Sequence, residues 1–394
     1  MSYTEVTEEG CFTKIKNAIG GVVVGFIMLV ISFPLLFWNE GKAVRRAQAL
    51  DFGKNNVVSI EAGSVDQANE GKLVHITNEA VTDNVVSDST FGVSMKALRL
   101  RRNVEMYQWK EKSKTRKRGK KKITEYTYSK VWSKTRINSS GFKQSGHTNP
   151  SSMPYSNKKW QAGKVTVGAF TLSKSLVDDI NDWTDLPPSE AKNKPSRATI
   201  DGSYLFIGSG SLATPRIGDV RVSFEAVKPC VVSFYSKQKG NTFTPYKMEN
   251  GESLQRLAVG SKTAEELFAA AEFEETIRMW VFRFLGFFFM WLGIVLILNP
   301  IKAIADVIPL IGGFMGNMVG AGISLAAFGV AAPLTFMTIA IGWIFYRPVV
   351  GILLMMVGGA IFVGIYKLAS GKKAAAGPAK AATPPPVPPP VPEG

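Results

Sequence analysis

A chain of 394 residues with 47 Lys+Arg against 31 Asp+Glu, 45% apolar residues and a mean hydropathy of +0.06 looks soluble only on average. Four apolar runs and a charged middle offset one another. The net charge of +16 favours anionic partners. The two cysteines, Cys11 and Cys230, lie on either side of the first apolar run, which argues against a disulfide framework or a thiolate metal cluster.

Residues 1–17 read as a short polar lead. Residues 18–38 hold 21 residues without a charge, and ~20 apolar residues at the helical rise cross a bilayer. A secretory apolar region is typically ~7–15 residues. The run therefore reads as an uncleaved anchor ending at Trp38, an interfacial residue type, in preference to a signal peptide cleaved near Ala47-Gln48-Ala49. Gly21 and Gly25 have the spacing that lets a second helix approach closely, either another copy or one of the chain's own spans.

Residues 39–278 form a polar, strand-rich stretch with 38 Lys+Arg against 26 Asp+Glu, so +12 of the +16 lies here. Short strand-like runs alternate with turn residues: Val57–Ile60, Leu73–Thr77, Val165–Phe170, Tyr204–Ile207, Val220–Phe224 and Val231–Tyr235. Leu98–Trp109 and Ile123–Trp132 read as a long hairpin. Its tip, Lys110–Lys122, carries nine basic residues against Glu111 alone. Lys112, Lys114, Arg116, Lys117, Arg118, Lys120, Lys121 and Lys122 are the candidates for holding an anionic lipid or polymer, each worth ~1 kcal/mol at an acidic membrane surface. The plainer reading, a solvated and self-repelling tip, is preferred. Nucleic acid is disfavoured because no recognisable binding module accompanies the charge. Val177–Trp183 and Ala264–Thr276 read as helices, the second leading into the next span, with 185–195 a loop between.

Chemistry-bearing patterns are scarce. His75 sits in a strand run with apolar alternating neighbours and reads as a satisfied core or edge histidine. His147, Asn149 and Pro150, in Gly-His-Thr-Asn-Pro-Ser, read as a structural loop, since Asn-Pro is a turn former and no nucleophile elbow or His-Glu-x-x-His accompanies the histidine. Two scattered histidines cannot complete a zinc shell. Gly208-Ser209-Gly210-Ser211 follows a strand but leads into Leu-Ala-Thr-Pro, a turn and not a phosphate loop. The expectation is no catalytic residue, no cofactor and no metal.

The C-terminal apolar block divides into 279–298 (span two), 299–317 (an interfacial connector holding Lys302 and Asp306), 318–345 (span three) and 349–368 (span four). Gly312, Gly316 and Gly320 repeat at spacing four, a small-residue face for helix contact. Pro333 should kink span three. Arg283 and Lys367 sit near span ends and are expected to snorkel, leaving no buried ionisable pair to mark a transport pathway. Residues 370–394 are Lys/Ala-rich, then Pro-rich, and read as an extended, disordered tail. Lys367, Lys372 and Lys373 favour a cytoplasmic C-terminus. Four spans put both termini on that side and the large domain on the periplasmic or lumenal one, although the basic residues flanking span one lean slightly the other way.

Six segments, taken together, resemble the transmembrane protein 43 (LUMA) family: Trp38–Ala43 (WNEGKA), Asn69–Ile76 (NEGKLVHI), Leu98–Trp109 (LRLRRNVEMYQW), Gly146–Ser151 (GHTNPS), Gly218–Phe224 (GDVRVSF) and Gly342–Pro348 (GWIFYRP). They cover nearly the whole chain outside its tail. The resemblance implies four spans, a large outer or lumenal domain, and a role in organising membrane protein complexes at the nuclear envelope and endoplasmic reticulum of animals. The hairpin tip is more basic than the family's pattern leads one to expect, and the Pro-rich tail is a further departure.

The fold expected is an integral α-helical membrane protein of four spans with a large β-rich (α+β) domain between spans one and two. The function expected is a non-enzymatic scaffold in the lipid bilayer, assembling as a homo-oligomer and with other membrane proteins; the alternative is a channel or transporter subunit formed by oligomerisation. The membrane expected is the cell membrane in a prokaryote and the endoplasmic reticulum or inner nuclear membrane in a eukaryote.

Overall fold

The computed structural model describes residues 2–8, 11–118, 121–305, 312–346 and scattered positions from 349 to 367. Its contacts divide the chain into two units, Met1–Lys14 with Lys42–Met279, and Ile15–Gly41 with Trp280–Gly394.

The first unit is β-rich. In chain order its strands are β1 (Ser2–Glu8), β2 (Val58–Ser59), β3 (Leu73–Val81), β4 (Val85–Asp88), β5 (Val93–Lys96), β6 (Arg99–Arg118) and β7 (Lys121–Ser133). There follow β8 (Lys158–Gln161), β9 (Thr166–Val167), β10 (Phe170–Thr171), β11 (Trp183–Leu186), β12 (Ala198–Asp201) and β13 (Tyr204–Ile207). The last are β14 (Val220–Val227), β15 (Cys230–Lys239), β16 (Thr242–Thr244), β17 (Tyr246–Lys247), β18 (Ser253–Leu254) and β19 (Arg256–Val259). One sheet runs β1-β7-β6-β14-β13-β12, with β11 on β14 and β8 on β6. The other runs β10-β9-β3-β15-β16, with β19 on β15 and β2 on β3.

Side-chain alternation explains why the two sheets meet. On β14, Val220, Val222, Phe224 and Ala226 are buried while Arg221, Ser223 and Glu225 are half-buried on the other face. On β6, Leu100, Val104 and Met106 join the same core, together with Val74 and Ile76 of β3 and Val232 and Phe234 of β15. The central strands of the second sheet are buried on both faces. Leu73 and Tyr235, one residue from Val74 and Phe234, point into a separate core with Ala49, Leu50, Leu254, Leu267, Phe268 and Ala271. Tyr235 stacks on Phe268 with ring centroids 4.3 Å apart. That second core is made by helix ends: α1 (Cys11–Asn56) and α3 (Ala264–Ala305) each run far beyond their apolar stretch. Ala49 and Leu50 on one and Leu267, Phe268 and Ala271 on the other give those polar extensions an apolar stripe.

Local readings shifted where pairing overrode local pattern. The helix expected at 177–183 is α2 (Lys174–Asp179). Trp183 and the start of the expected loop instead form β11, which pairs Trp183 with Val227 and Leu186 with Phe224 of β14. Arg99 and Arg101 lie over the Trp183 ring at 4.9 and 4.3 Å, a cation–π clamp that favours the extended form. Residues 2–8 of the polar lead are strand β1 on the outer edge of β7.

In the second unit, α1, α3 and α4 (Gly312–Tyr346) supply three helices long and apolar enough to cross a membrane. Residues 299–305 of the expected connector continue α3 through Pro300, and its end from Gly312 opens α4. Much of 349–368 and all of 370–394 lie outside the described residues, as does Asp306.

Candidate functional site

Within the helical unit, α1 and α3 approach antiparallel along a seam of small residues. A methyl group at Gly25 would come within 2.7 Å of the Gly293 carbonyl oxygen, and one at Gly293 within 2.8 Å of the Gly25 oxygen. Four residues of rise per contact turn keep this face towards α3, and at Gly286 the space is filled by Leu36, whose Cγ would lie 2.5 Å from an added Cβ. A methyl group at Gly21 would be in ordinary contact with Leu296, 3.9 Å from its Cδ2. Gly320 of α4 packs on the aliphatic stem of Lys302, 3.1 Å from an added Cβ. The side-chain surroundings of Gly312 and Gly316, both in α4, fall outside the described residues.

At one end of the seam stands Glu40, fully buried. Arg283 donates from Nε to its Oε1 at 2.8 Å and from Nη2 to its Oε2 at 2.7 Å. The Trp343 indole N–H also donates to Oε2, and Asn39 Nδ2 donates to Oε1 at 3.4 Å. The Arg283 guanidinium lies 4.9 Å from the Trp280 ring centroid and 5.8 Å from that of Trp343. Gly342 leaves room for the acid: a methyl there would be 3.1 Å from Glu40 Cβ. The expectation that Arg283 snorkels alone is therefore corrected. A two-point carboxylate–guanidinium pair with aromatic walls lets both charges stay inside the helix bundle, where an unpaired one would be costly. The pattern was present in the sequence. Glu40 closes the first apolar run and Arg283 opens the second, and antiparallel packing brings those ends together. Two of the segments carrying the family resemblance, Trp38–Ala43 and Gly342–Pro348, meet here.

The β-rich unit holds the other predicted residues. Lys112, Lys114, Arg116 and Lys121 are exposed and Lys122 is half-buried. Arg116 pairs with Glu125 at 3.1 Å. Lys117 and Arg118 belong to β6, but their side chains, like the whole of Lys120, lie outside the described residues. His147 is buried against two rings, stacked on Tyr128 at 4.0 Å and edge-on to Trp109 at 4.5 Å, with Nδ1 3.4 Å from the Gln144 carbonyl. Asn149 acts as a surrogate strand: its Oδ1 accepts from the Trp109 N–H at 2.7 Å, and its Nδ2 donates to the carbonyls of Trp109 at 2.8 Å and Ile137 at 3.2 Å. Pro150 follows that amide and packs beside Gly218, 3.3 Å from an added Cβ. His75 donates from Nε2 to the Lys262 carbonyl at 3.0 Å, and Ser59 Oγ lies 3.3 Å from Nδ1. Because a carbonyl only accepts, the proton sits on Nε2. Burial pushes the His75 pKa below its ordinary value of 6.5.

The glycine turn at 208–211 has its anion already. Buried Asp219 accepts from the N–H groups of Ser209 at 2.9 Å, Gly210 at 3.2 Å and Arg216 at 2.7 Å. A cleft of about 530 Å³ between β8 and α2 is lined by Arg99, Lys159, Trp160, Lys174 and Asp178, and its described lining contains no Ser, Cys or His. Among the described residues no three His, Cys, Asp or Glu gather as a metal would need.

Three membrane-length helices closed by an internal ion pair, joined to a strand-rich unit, define a multi-span integral membrane protein. The family model for Transmembrane protein 43 matches residues 106–348, and mouse Transmembrane protein 43 is 34% identical over 364 residues, 88% of this chain and 90% of the mouse protein. The chain belongs to the transmembrane protein 43 family. The human protein is 33% identical with the same coverage, and the Drosophila melanogaster homolog is 26% identical over 358 residues, 86% of this chain and 92% of its own. No solved structure matches.

Proposed function

We propose that this protein is a non-enzymatic membrane scaffold of four spans, both termini cytoplasmic, whose β-rich domain assembles with itself or with other membrane proteins on the far side of an internal membrane. The observation that carries this reading is the closure of the helical unit on itself. Gly25 and Gly293 are spent on contact between the chain's own helices, and Glu40, Arg283 and Trp343 satisfy one another. Such a bundle is a fixed platform. Among the described residues, the strand-rich domain offers partners a surface that includes the basic tip, whose exposed lysines suit an anionic surface. Cross-linking in native membranes tests it: adducts larger than the monomer support assembly, and monomer alone would sink it.

A second reading, a channel or transporter subunit, is favoured by the same ion pair, since ionisable groups within a membrane often mark a pathway. Purified protein in liposomes that passes ions or solute, with a flux altered by Gly316→Leu or Gly320→Leu, would favour it over the scaffold.

A further inference from the structure

The long hairpin of β6 and β7 has two unlike faces. Residues directly opposite on paired strands share a face, and the register sorts them. Lys110, Lys112, Lys114 and Arg116 lie with Ser129, Thr127, Glu125 and Ile123, while Trp109, Glu111 and Ser113 lie with Lys130, Tyr128 and Tyr126. The second face is covered. The Lys143 N–H donates to Glu111 Oε2 at 2.7 Å, the Gln144 N–H donates to Tyr128 Oη at 2.9 Å, and Phe142 and His147 pack on the Tyr128 ring. Lys130 Nζ lies 4.9 Å from the Trp109 ring centroid, and half-buried Lys122 belongs to this face too.

The first face continues the core and then leaves it. Arg102, Val104, Met106 and Gln108 of β6 are buried. At the next alternate positions Lys110, Lys112, Lys114 and Arg116 are exposed. Every second residue of a strand advances about 7 Å, so these four cations form a row about 20 Å long. Among the described residues no acid pairs with Lys110, Lys112 or Lys114, and Glu125 pairs with Arg116. Beside the row Thr127 and Ser129 are short and exposed. β1 lies at the edge of β7, where it widens the sheet and leaves this face open.

A row of cations flanked by short side chains suits a planar anionic surface. Single-stranded nucleic acid is held on aromatic platforms, and Trp109, Tyr126 and Tyr128 are all on the covered face. Protein partners seat large apolar or aromatic anchors at the centre of an interface, and this face supplies none between Lys110 and Arg116 or between Glu125 and Ser129, Ile123 being half-buried. Headgroups need only charge within a screening length, and the spans keep a bilayer within reach of the domain.

We propose that the face of β6 carrying Lys110, Lys112, Lys114 and Arg116 is a docking surface for the anionic headgroups of a lipid bilayer. This rests on the reading of the basic tip as a partner-binding surface and deepens it. It names the partner as lipid, adds Lys110 to the row, and assigns Lys122 to the face that does not dock.

The test mixes the full-length protein in phosphatidylcholine nanodiscs with vesicles of phosphatidylcholine, with or without phosphatidylserine. Capture by the phosphatidylserine vesicles alone is expected, weakening as salt is raised. Lys112→Ala with Lys114→Ala should weaken capture roughly thirtyfold, about fivefold for each lysine. Lys122→Ala with Lys130→Ala removes the same charge from the covered face and should change it by about twofold or less. Equal losses in the two pairs would overturn the assignment of the face. Equal capture by vesicles without phosphatidylserine, or capture by neither, would overturn headgroup recognition. Tighter binding of a single-stranded oligonucleotide through Lys112 and Lys114 would replace the bilayer with a polymer and overturn it as well. Cross-linking of the same variants in native membranes reads the scaffold separately: adducts without vesicle capture remove this surface and leave the scaffold standing, and capture without adducts does the reverse.

Discussion

Glu40 and Arg283, 243 residues apart, form a two-point ion pair within the helical unit, at 2.8 and 2.7 Å, with Trp343 completing the carboxylate's partners. Removing one member strands the other in a medium that solvates it poorly. Arg283→Leu or Glu40→Leu should each destabilise the bundle by ~3–5 kcal/mol, read as a lower midpoint of thermal unfolding in nanodiscs. Glu40→Leu with Arg283→Leu should recover a large part of that loss, since no unpaired charge remains. A double variant as unstable as the sum of the two singles would show that the residues act independently.

The Gly25–Gly293 crossing is backbone against backbone, so a side chain cannot be accommodated by a rotamer change. Gly25→Leu or Gly293→Leu should force the helices apart and lower folded yield sharply, whereas Gly20→Ala, with nothing within 4 Å of the added carbon, should be silent. Proteolysis rates in nanodiscs compare the three directly. Equal behaviour would remove the seam from the account.

Acid should destabilise the β-rich unit in two stages. Burial lowers the His75 pKa in the fold, so the unfolded chain binds that proton first. Stability falls as pH drops below the unfolded value near 6.5 and levels once the folded group also titrates. The Arg101 hydrogen bond holds Glu225 below its ordinary value of 4.5, so its contribution is present above that value and is lost as pH falls through the depressed one. His75→Gln should abolish the first stage and leave the second, in denaturant unfolding measured from pH 8 to pH 3. Persistence of the first stage in His75→Gln would assign it elsewhere.

Sidedness is the measurement on which the placement of partners depends. In a background with Cys11→Ser and Cys230→Ser, single cysteines at Ser2 and Ser113 should react with an impermeant maleimide from opposite faces of sealed membranes. The register puts Tyr3 opposite Tyr126, and Tyr126 opposite Ser113. Labelling of both from one face would mean that β1 remains on β7, which would overturn the proposed crossing of α1 between them.

Sequence alone determined the membrane anchoring, the long basic hairpin and the strand-rich middle. Each is written in a local pattern: runs of ~20 apolar residues, and alternation over β6 and β7, which pair from Met106–Ser133 to Arg118–Lys121. The family was legible for the same reason, through short motifs read in order. The tertiary structure decided what depends on residues far apart. Nothing local to Trp183 distinguishes helix from strand until β14 and two arginines lie beside it. Gly286 and Gly293 are unremarked glycines in an apolar run until α1 packs on them. Arg283 looks like a span-end residue free to reach water until Glu40 arrives from the antiparallel helix. Hydrophobic length is a property of one segment, and the cost of a buried charge is a property of its neighbours, which only the folded chain supplies.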